Sequence, residues 1–221
     1  VIATLLDFDG VLVDSEPVHL AAFNDVLAEL GIVVPENDYA ERYLSLDDAG
    51  VFRAVLARSG RTLREEQVRA LVAAKSPRFM ARFEEAFRVF PGAAELVERR
   101  AARGPVGIVS GALEREIVFA LEKMKVTASV SFVVSAESVA ASKPDPAPFL
   151  RAVDELRKLG HPTSAVAVED STGGIAAAKA AGLRCVAVAH TYAREPLLLA
   201  GADAAVMDLA SLTDELLEGG A

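Results

Sequence analysis

The sequence predicts an α/β protein, a doubly wound parallel sheet interrupted early by a helical insertion. Three observations carry that expectation. Six short runs, "IATLLDFD", "GPVGIVSG", "SFVVSAE", "SAVAVEDS", "RCVAVAH" and "ADAAVMD", are continuously apolar, as strands covered on both faces are. Helical patterns over 92–103, 112–124, 146–159 and 172–181 alternate with these runs. From about Ser15 to Phe87, by contrast, there is only helical periodicity, some 70 residues without a convincing strand.

Taken in order, the first run ends abruptly at Asp7. The insertion then shows Phe23, Val26, Leu27 and Leu30 at i, i+3, i+4 and i+7, one face of a helix. Further on, "LREEQVRALVAAKSPRFMARFEEAF" is helical in pattern, with an interruption expected at Pro77 because proline lacks the amide proton and crowds the preceding turn. In "VFPGAAELV" the Pro91-Gly92 pair marks re-entry into the alternating pattern. The expected organisation is a core of residues 1–14 and 88–221 with a small helical domain over 15–87.

Composition bounds the function. At 221 residues and 52% apolar content the chain can bury a sizeable core. No apolar run approaches the ~18–20 residues that span a bilayer, so no membrane partner is expected. "VIATLL" lacks the basic flank and cleavage site of a signal peptide. A single cysteine, Cys185 in an apolar setting, excludes an intrachain disulfide framework and reads as an inert buried thiol. A cytoplasmic protein is the expectation. The net charge of −9 argues against sequence-independent nucleic-acid binding, which needs a positive surface. Nothing fixes the oligomeric state beyond a monomer or small homo-oligomer.

In open α/β sheets, ligands bind beyond the carboxyl ends of the strands. At those ends the chain places Asp7 and Asp9, then Ser110 and Gly111, then Lys143 beyond the third strand, then Glu169 and Asp170. Singly, a serine at a strand end is a helix cap and a lysine is a solvated surface group. Jointly, they place carboxylates, a hydroxyl and an ammonium on one rim. Clustered carboxylates repel unless a cation intervenes, and hard oxygen ligands select Mg²⁺. An aspartate held ionised by metal and lysine is suited to attack phosphorus.

These residues carry a resemblance. "DFDGVLVDSEP" resembles the first motif, DxDx(T/V), of the haloacid dehalogenase superfamily of phosphotransferases. "VSGA", "SKPDPAPF" and "VEDSTGGIAAAKAAG" resemble its second, third and fourth motifs in order, so the likeness covers essentially the whole chain. The helical insertion is similar to the cap of the branch that includes β-phosphoglucomutase and phosphoglycolate phosphatase, on a Rossmann-like core. The resemblance implies Asp7 as nucleophile, becoming an aspartyl phosphate, and Asp9 as the acid that protonates the leaving oxygen and then activates water. It implies that Ser110, with backbone N–H groups near Gly111 and Ala112, binds the transferring phosphoryl group, and that Lys143 neutralises it. Mg²⁺ would be held by Asp7, the Asp9 backbone carbonyl, Asp170 and Glu169, the last directly or through water. A second aspartate two residues after the first favours phosphoryl transfer over dehalogenation.

Other positions are read more narrowly. His19 occupies the place of a hinge histidine in several relatives, or extends the apolar face of Phe23 and Val26. His161 reads as a loop residue, whereas His190 ends a strand on the active rim. Tyr43, Ser45 and Arg53, with Asp47 and Asp48, lie where the cap of the resembled branch reads its substrate. Arg61, Arg64, Lys75 and Arg78 read as solvated helix faces. The absence of Lys or Arg over 43–50 weighs against a sugar-phosphate mutase, which must hold a second phosphate. The expected function is a Mg²⁺-dependent phosphatase of a small phosphorylated metabolite, a sugar or polyol phosphate; the rivals are such a mutase and a non-catalytic module on the same fold.

Overall fold

Six strands, β1 (Ala3–Leu6), β2 (Val106–Val109), β3 (Phe132–Val134), β4 (Ala165–Glu169), β5 (Arg184–Val188) and β6 (Ala204–Val206), all run parallel. This is a computed structural model, and it describes residues 2–44, 46–161 and 163–219. The strand order is β3-β2-β1-β4-β5-β6. Leu5 is in register with Gly107 on one side and with Ala167 on the other, so β1 lies centrally and its end is flanked by those of β2 and β4. That is where a doubly wound sheet reverses direction and opens a crevice. β1, β2 and β4 are buried along their whole length, which is why their sequences are continuously apolar.

The chain divides into two compact units, Val1–Asp14 with Arg88–Ala221, and Ser15–Phe87. In the first, helices α5 (Ala93–Ala101), α6 (Glu114–Met124), α7 (Ala147–Lys158), α8 (Thr172–Ala180), α9 (Arg194–Leu199) and α10 (Asp214–Glu218) connect or follow the strands. Leu5, Val109, Phe149, Leu156, Ile175 and Cys185 share one apolar core. Burial pushes the Cys185 thiol above its ordinary range, so it stays protonated and inert. At the amino end of β1, buried Arg100 donates to Thr4 Oγ1 at 2.9 Å and to Asp214 and Glu218 at 2.9 Å each. That network ties α10 to the end of the sheet opposite Asp7.

The second unit holds α1 (Glu16–Leu27), α2 (Glu36–Arg42), α3 (Asp48–Arg58) and α4 (Glu65–Glu85), and no strand among its described residues. Phe23, Val26 and Leu27 of α1 join Phe52, Val55 and Leu56 of α3 in its core. α3 begins where the sequence supplies a cap: Asp47 Oδ1 accepts from Gly50 N at 2.7 Å. The expected interruption at Pro77 does not occur. α4 runs unbroken through it, because Pro77 faces solvent while Val68, Phe79 and Phe83 bury the opposite side along α1. Burial along 21 residues outweighs the lost intrahelical bond. Among the described residues, no helix is long and apolar enough to cross a membrane.

Candidate active site

Asp7 is the first residue past β1, its backbone N–H still donating to Val168 O at 3.0 Å. The sheet therefore carries the carboxylate to its rim and leaves it 7% exposed. Lys143, in the segment between β3 and α7, reaches the same point. Its Nζ donates to Asp7 Oδ1 at 2.9 Å, Glu169 Oε1 at 2.5 Å and Val109 O at 2.8 Å. The three donor directions of the ammonium are thus matched by acceptors from the ends of β1, β4 and β2. Glu169 Oε2 also accepts from the Ser171 hydroxyl at 3.1 Å, and Ser171 Oγ in turn caps α8 by accepting from Gly174 N. Gly174 has to be glycine, since a Cβ there would fall 2.0 Å from Glu169 Oε2.

Among the described residues, carboxylate oxygens of Asp7, Glu169 and Asp170 lie within 4.8 Å of one another, all three buried. Their electrostatics show what the cluster lacks. Burial first, then the charge of Asp7, pushes Glu169 up to about 7. Burial, then Asp7 and Glu169, raise Asp170 well above the ordinary aspartate range, against a hydrogen bond from Thr191 that lowers it. Burial alone would lower Lys143, yet Asp7 and Glu169 outweigh it and hold the amine protonated. Fully ionised, three carboxylates against one ammonium would carry two negative charges without a partner, and that excess, after burial, is what raises Glu169 and Asp170. A divalent cation with a preference for oxygen ligands fits that deficit.

Asp9 is half-buried in the loop after β1, and its carboxylate stands outside the cluster; the ligand expected from it is its backbone carbonyl. Ser110 follows β2, buried, and its Oγ accepts from the Ala112 N–H at 3.0 Å. Gly111 is exposed, with open space where a Cβ would stand.

The helical unit departs more from expectation. Tyr43 is a core residue, 5% exposed and clustered with Phe23, Phe52 and Val55. Arg53 forms a surface ion pair with Glu65, at 3.2 and 2.7 Å. Ser45 lies outside the described residues. Lys75, read from sequence as solvated, is 2% exposed. Its Nζ donates to His19 Nδ1 at 2.8 Å and to Asp48 Oδ1 at 2.5 Å, and lies 4.1 Å from the centre of the Phe23 ring. Because Lys75 is the donor, His19 Nδ1 accepts, and burial followed by the lysine charge lowers the His19 pKa well below its usual value. A signal for Lys75 did exist: Val68, Lys75, Phe79 and Phe83 follow one another at helical spacings of 7, 4 and 4 on the stripe that α4 buries.

A buried carboxylate at the end of a central parallel strand, an ammonium bridging it to a second acidic strand end, and a helical insertion after the first strand are the arrangement expected of a phosphotransferase-type hydrolase. Similarity to known proteins agrees. Residues 4–188 match the haloacid dehalogenase-like hydrolases, and the chain belongs to that family as a phosphatase-type enzyme. It is 33% identical over 220 residues to phosphoglycolate phosphatase of Rhodospirillum rubrum, covering 97% of this chain and 90% of that one. It is 31% identical over 223 residues to hexitol phosphatase B of Escherichia coli, covering 99% and 97%. Among solved structures, CbbY from Rhodobacter sphaeroides in complex with phosphate superposes with a TM-score of 0.80 at 28% identity, over 95% of each chain.

Proposed function

We propose that the protein is a Mg²⁺-dependent phosphatase that hydrolyses a small sugar or polyol monophosphate through an aspartyl phosphate on Asp7. The observation that carries this reading is the Lys143 ammonium bridging Asp7 and Glu169 inside a buried cluster with two unmatched negative charges. Asp7 attacks phosphorus, forming the acyl phosphate as the ester oxygen leaves. Asp9 gives that oxygen its proton, then takes one from the water that attacks the acyl phosphate, releasing inorganic phosphate and restoring Asp7. Ser110, whose Oγ is oriented by the Ala112 N–H, and the exposed Gly111 N–H hold the non-bridging oxygens. Lys143 holds the Asp7 carboxylate through its 2.9 Å hydrogen bond and offsets charge on the transferring group. Mg²⁺ would be held by Asp7, Asp170 and the Asp9 carbonyl, with Glu169 direct or through water, and would supply further charge neutralisation.

The polyol-phosphate class is supported by the relative named hexitol phosphatase B, while the likeness to phosphoglycolate phosphatase supports a small phosphate monoester more broadly. The rival is a sugar-phosphate mutase, which the lack of Lys or Arg over 43–50 weighs against. One assay separates them. Enzyme with Mg²⁺ should release inorganic phosphate from a panel including sorbitol 6-phosphate and phosphoglycolate, and release should stop with EDTA. In a parallel arm, β-glucose 1-phosphate with a trace of glucose 1,6-bisphosphate should yield phosphate, not glucose 6-phosphate. Faster appearance of glucose 6-phosphate would make the enzyme a mutase.

A further inference from the structure

The loop after Asp7 is closed largely upon itself. Leu12 N and Val13 N both donate to Phe8 O, at 2.9 and 3.1 Å, and Gly10 N donates to Val13 O at 2.9 Å. Gly10 is buried with φ +75°, and a Cβ there would stand 1.8 Å from Asp170 Oδ2 and 2.7 Å from Thr191 Oγ1. The loop is therefore threaded between the end of β4 and the segment after β5. Its Gly10 carbonyl is bound from outside the loop, by His190 Nδ1 at 2.9 Å. A carbonyl only accepts, so Nδ1 carries the proton and the tautomer is fixed. The His190 ring lies on Phe90 with centroids 3.8 Å apart and planes 18° from parallel. Phe90 in turn donates its N–H to Leu12 O at 3.0 Å, so both contacts of His190 lead back to the same loop.

We infer that His190 is a positioning residue for Asp9: by holding the Gly10 carbonyl it fixes the loop so that the adjacent Asp9 carboxylate meets the leaving-group oxygen. This role for His190 rests on the acid–base role proposed for Asp9. Sequence shows only a histidine at a strand end; the Gly10 bond and the Phe90 stack make it a clamp. Small displacements at a proton-transferring group cost rate steeply, because the donor and the oxygen have to come within hydrogen-bond reach.

Two substitutions divide the clamp. His190→Phe keeps the stack on Phe90 and removes the donor, whereas His190→Asn places an amide N–H near the Nδ1 position and gives up most of the stack. Single-turnover phosphorylation is measured for phenyl phosphate, whose leaving group needs a proton, and for p-nitrophenyl phosphate, whose leaving group needs little. His190→Phe should slow phenyl phosphate by roughly 10- to 100-fold and p-nitrophenyl phosphate by less than about 5-fold, with KM little changed. His190→Asn should recover most of the phenyl phosphate rate. Equal losses on both substrates, or an Asn variant no better than the Phe variant, would overturn the inference, since a merely structural histidine gives that pattern. Asp9→Asn separates the two claims. If it shows the leaving-group dependence and His190→Phe does not, only the clamp is wrong; if Asp9→Asn lacks it, the acid–base role fails and the clamp with it.

Discussion

Each unit of this molecule encloses a lysine amino group, and the two are balanced differently. Lys143 in the core is bound by Asp7 and Glu169, with Asp170 in the same cluster, so acid exceeds base by two charges. Lys75 in the helical unit meets one carboxylate, Asp48, and completes its shell with a neutral histidine and the face of Phe23. A buried ion pair of matched charge is a local structural solution that asks for nothing further. An unmatched one is held only because the fold opposes the repulsion, and it lowers its energy by taking up a cation. The core site is therefore poised for a ligand, and the helical site is neutral until something displaces Asp48.

The sharpest way to break that comparison is to change one group in each cluster. Asp7→Asn should lower turnover by at least ~10³, because no other group is placed to form the acyl phosphate. The fold should survive, since the change removes one of three mutually repelling charges. Substantial Mg²⁺-dependent turnover in that variant would end the assignment of Asp7. Lys143→Met should lose ~10²-fold or more in turnover. Lys75→Met has a smaller effect. The methionine fits among Phe23 and Phe79, and Asp48, with its side chain 35% exposed, can return to water. A stability change of about 1–2 kcal/mol is expected from the lost charged hydrogen bonds. If Lys75→Met matched Lys143→Met in lost turnover, the two lysines would share a catalytic duty and the clusters would not differ in kind.

Metal removal tests the charge deficit itself. At a hundredfold excess over its Kd, Mg²⁺ should stabilise the folded protein by ~2.7 kcal/mol, read as a higher melting temperature. At a pH high enough to ionise the cluster, Asp170→Asn should melt higher than wild type in EDTA, since it relieves repulsion, and should lose most of the response to Mg²⁺. A wild-type response in that variant would exclude Asp170 from the metal site.

The two regions also differ in how far they are legible in the sequence. Asp7, Ser110, Glu169 and Asp170 can be placed on one rim because continuous apolar runs locate parallel strands and the residue past each run is then at its carboxyl end. That placement needs only the period of the pattern. The meeting of Lys143 with the same point comes from motif order, since its segment is neither strand nor helix. In the helical unit the reading leans on residue type, and residue type misleads. Lys75 sits in the buried stripe of α4, but the usual preference of lysine for water hides it. Asp48, 27 residues away in sequence, supplies the charge that makes its burial tolerable. Tyr43 and Arg53 are placed by likeness of position, and no local pattern shows that Tyr43 is buried or that Arg53 pairs with Glu65. His190 is legible only as a residue on the rim, whereas its bond to the Gly10 carbonyl depends on a loop conformation that no local pattern encodes.

The smallest effect distinguishes the clusters by sign. His19 is held below its ordinary pKa, by burial and then by Lys75. As pH falls below the unfolded value of about 6.5, the unfolded chain takes up a proton that the folded state refuses. His19 therefore contributes stability above about pH 6.5 that is lost on further acidification, by at most ~1.4 kcal/mol per pH unit. Glu169 works the other way when no cation is present. Its folded pKa, about 7, lies above its ordinary value of 4.5, so the folded core takes the proton first. Stability of that unit is thus gained as pH falls from about 7 to about 4.5, and the cost is fully present above 7. Hydrogen exchange on the full chain in EDTA, from pH 8 to pH 5 and corrected for intrinsic rates, reads the units separately through α1 and α4 amides and through β1 and β4 amides. Protection should fall with acid in the helices and rise in the strands. His19→Asn, which keeps an acceptor for Lys75 and cannot titrate, should flatten the first slope and leave the second. Mg²⁺ should reverse the second by holding Glu169 ionised, and leave the first. If both units gained or lost protection together across this range, the difference in charge balance between the two lysine clusters would have no energetic consequence.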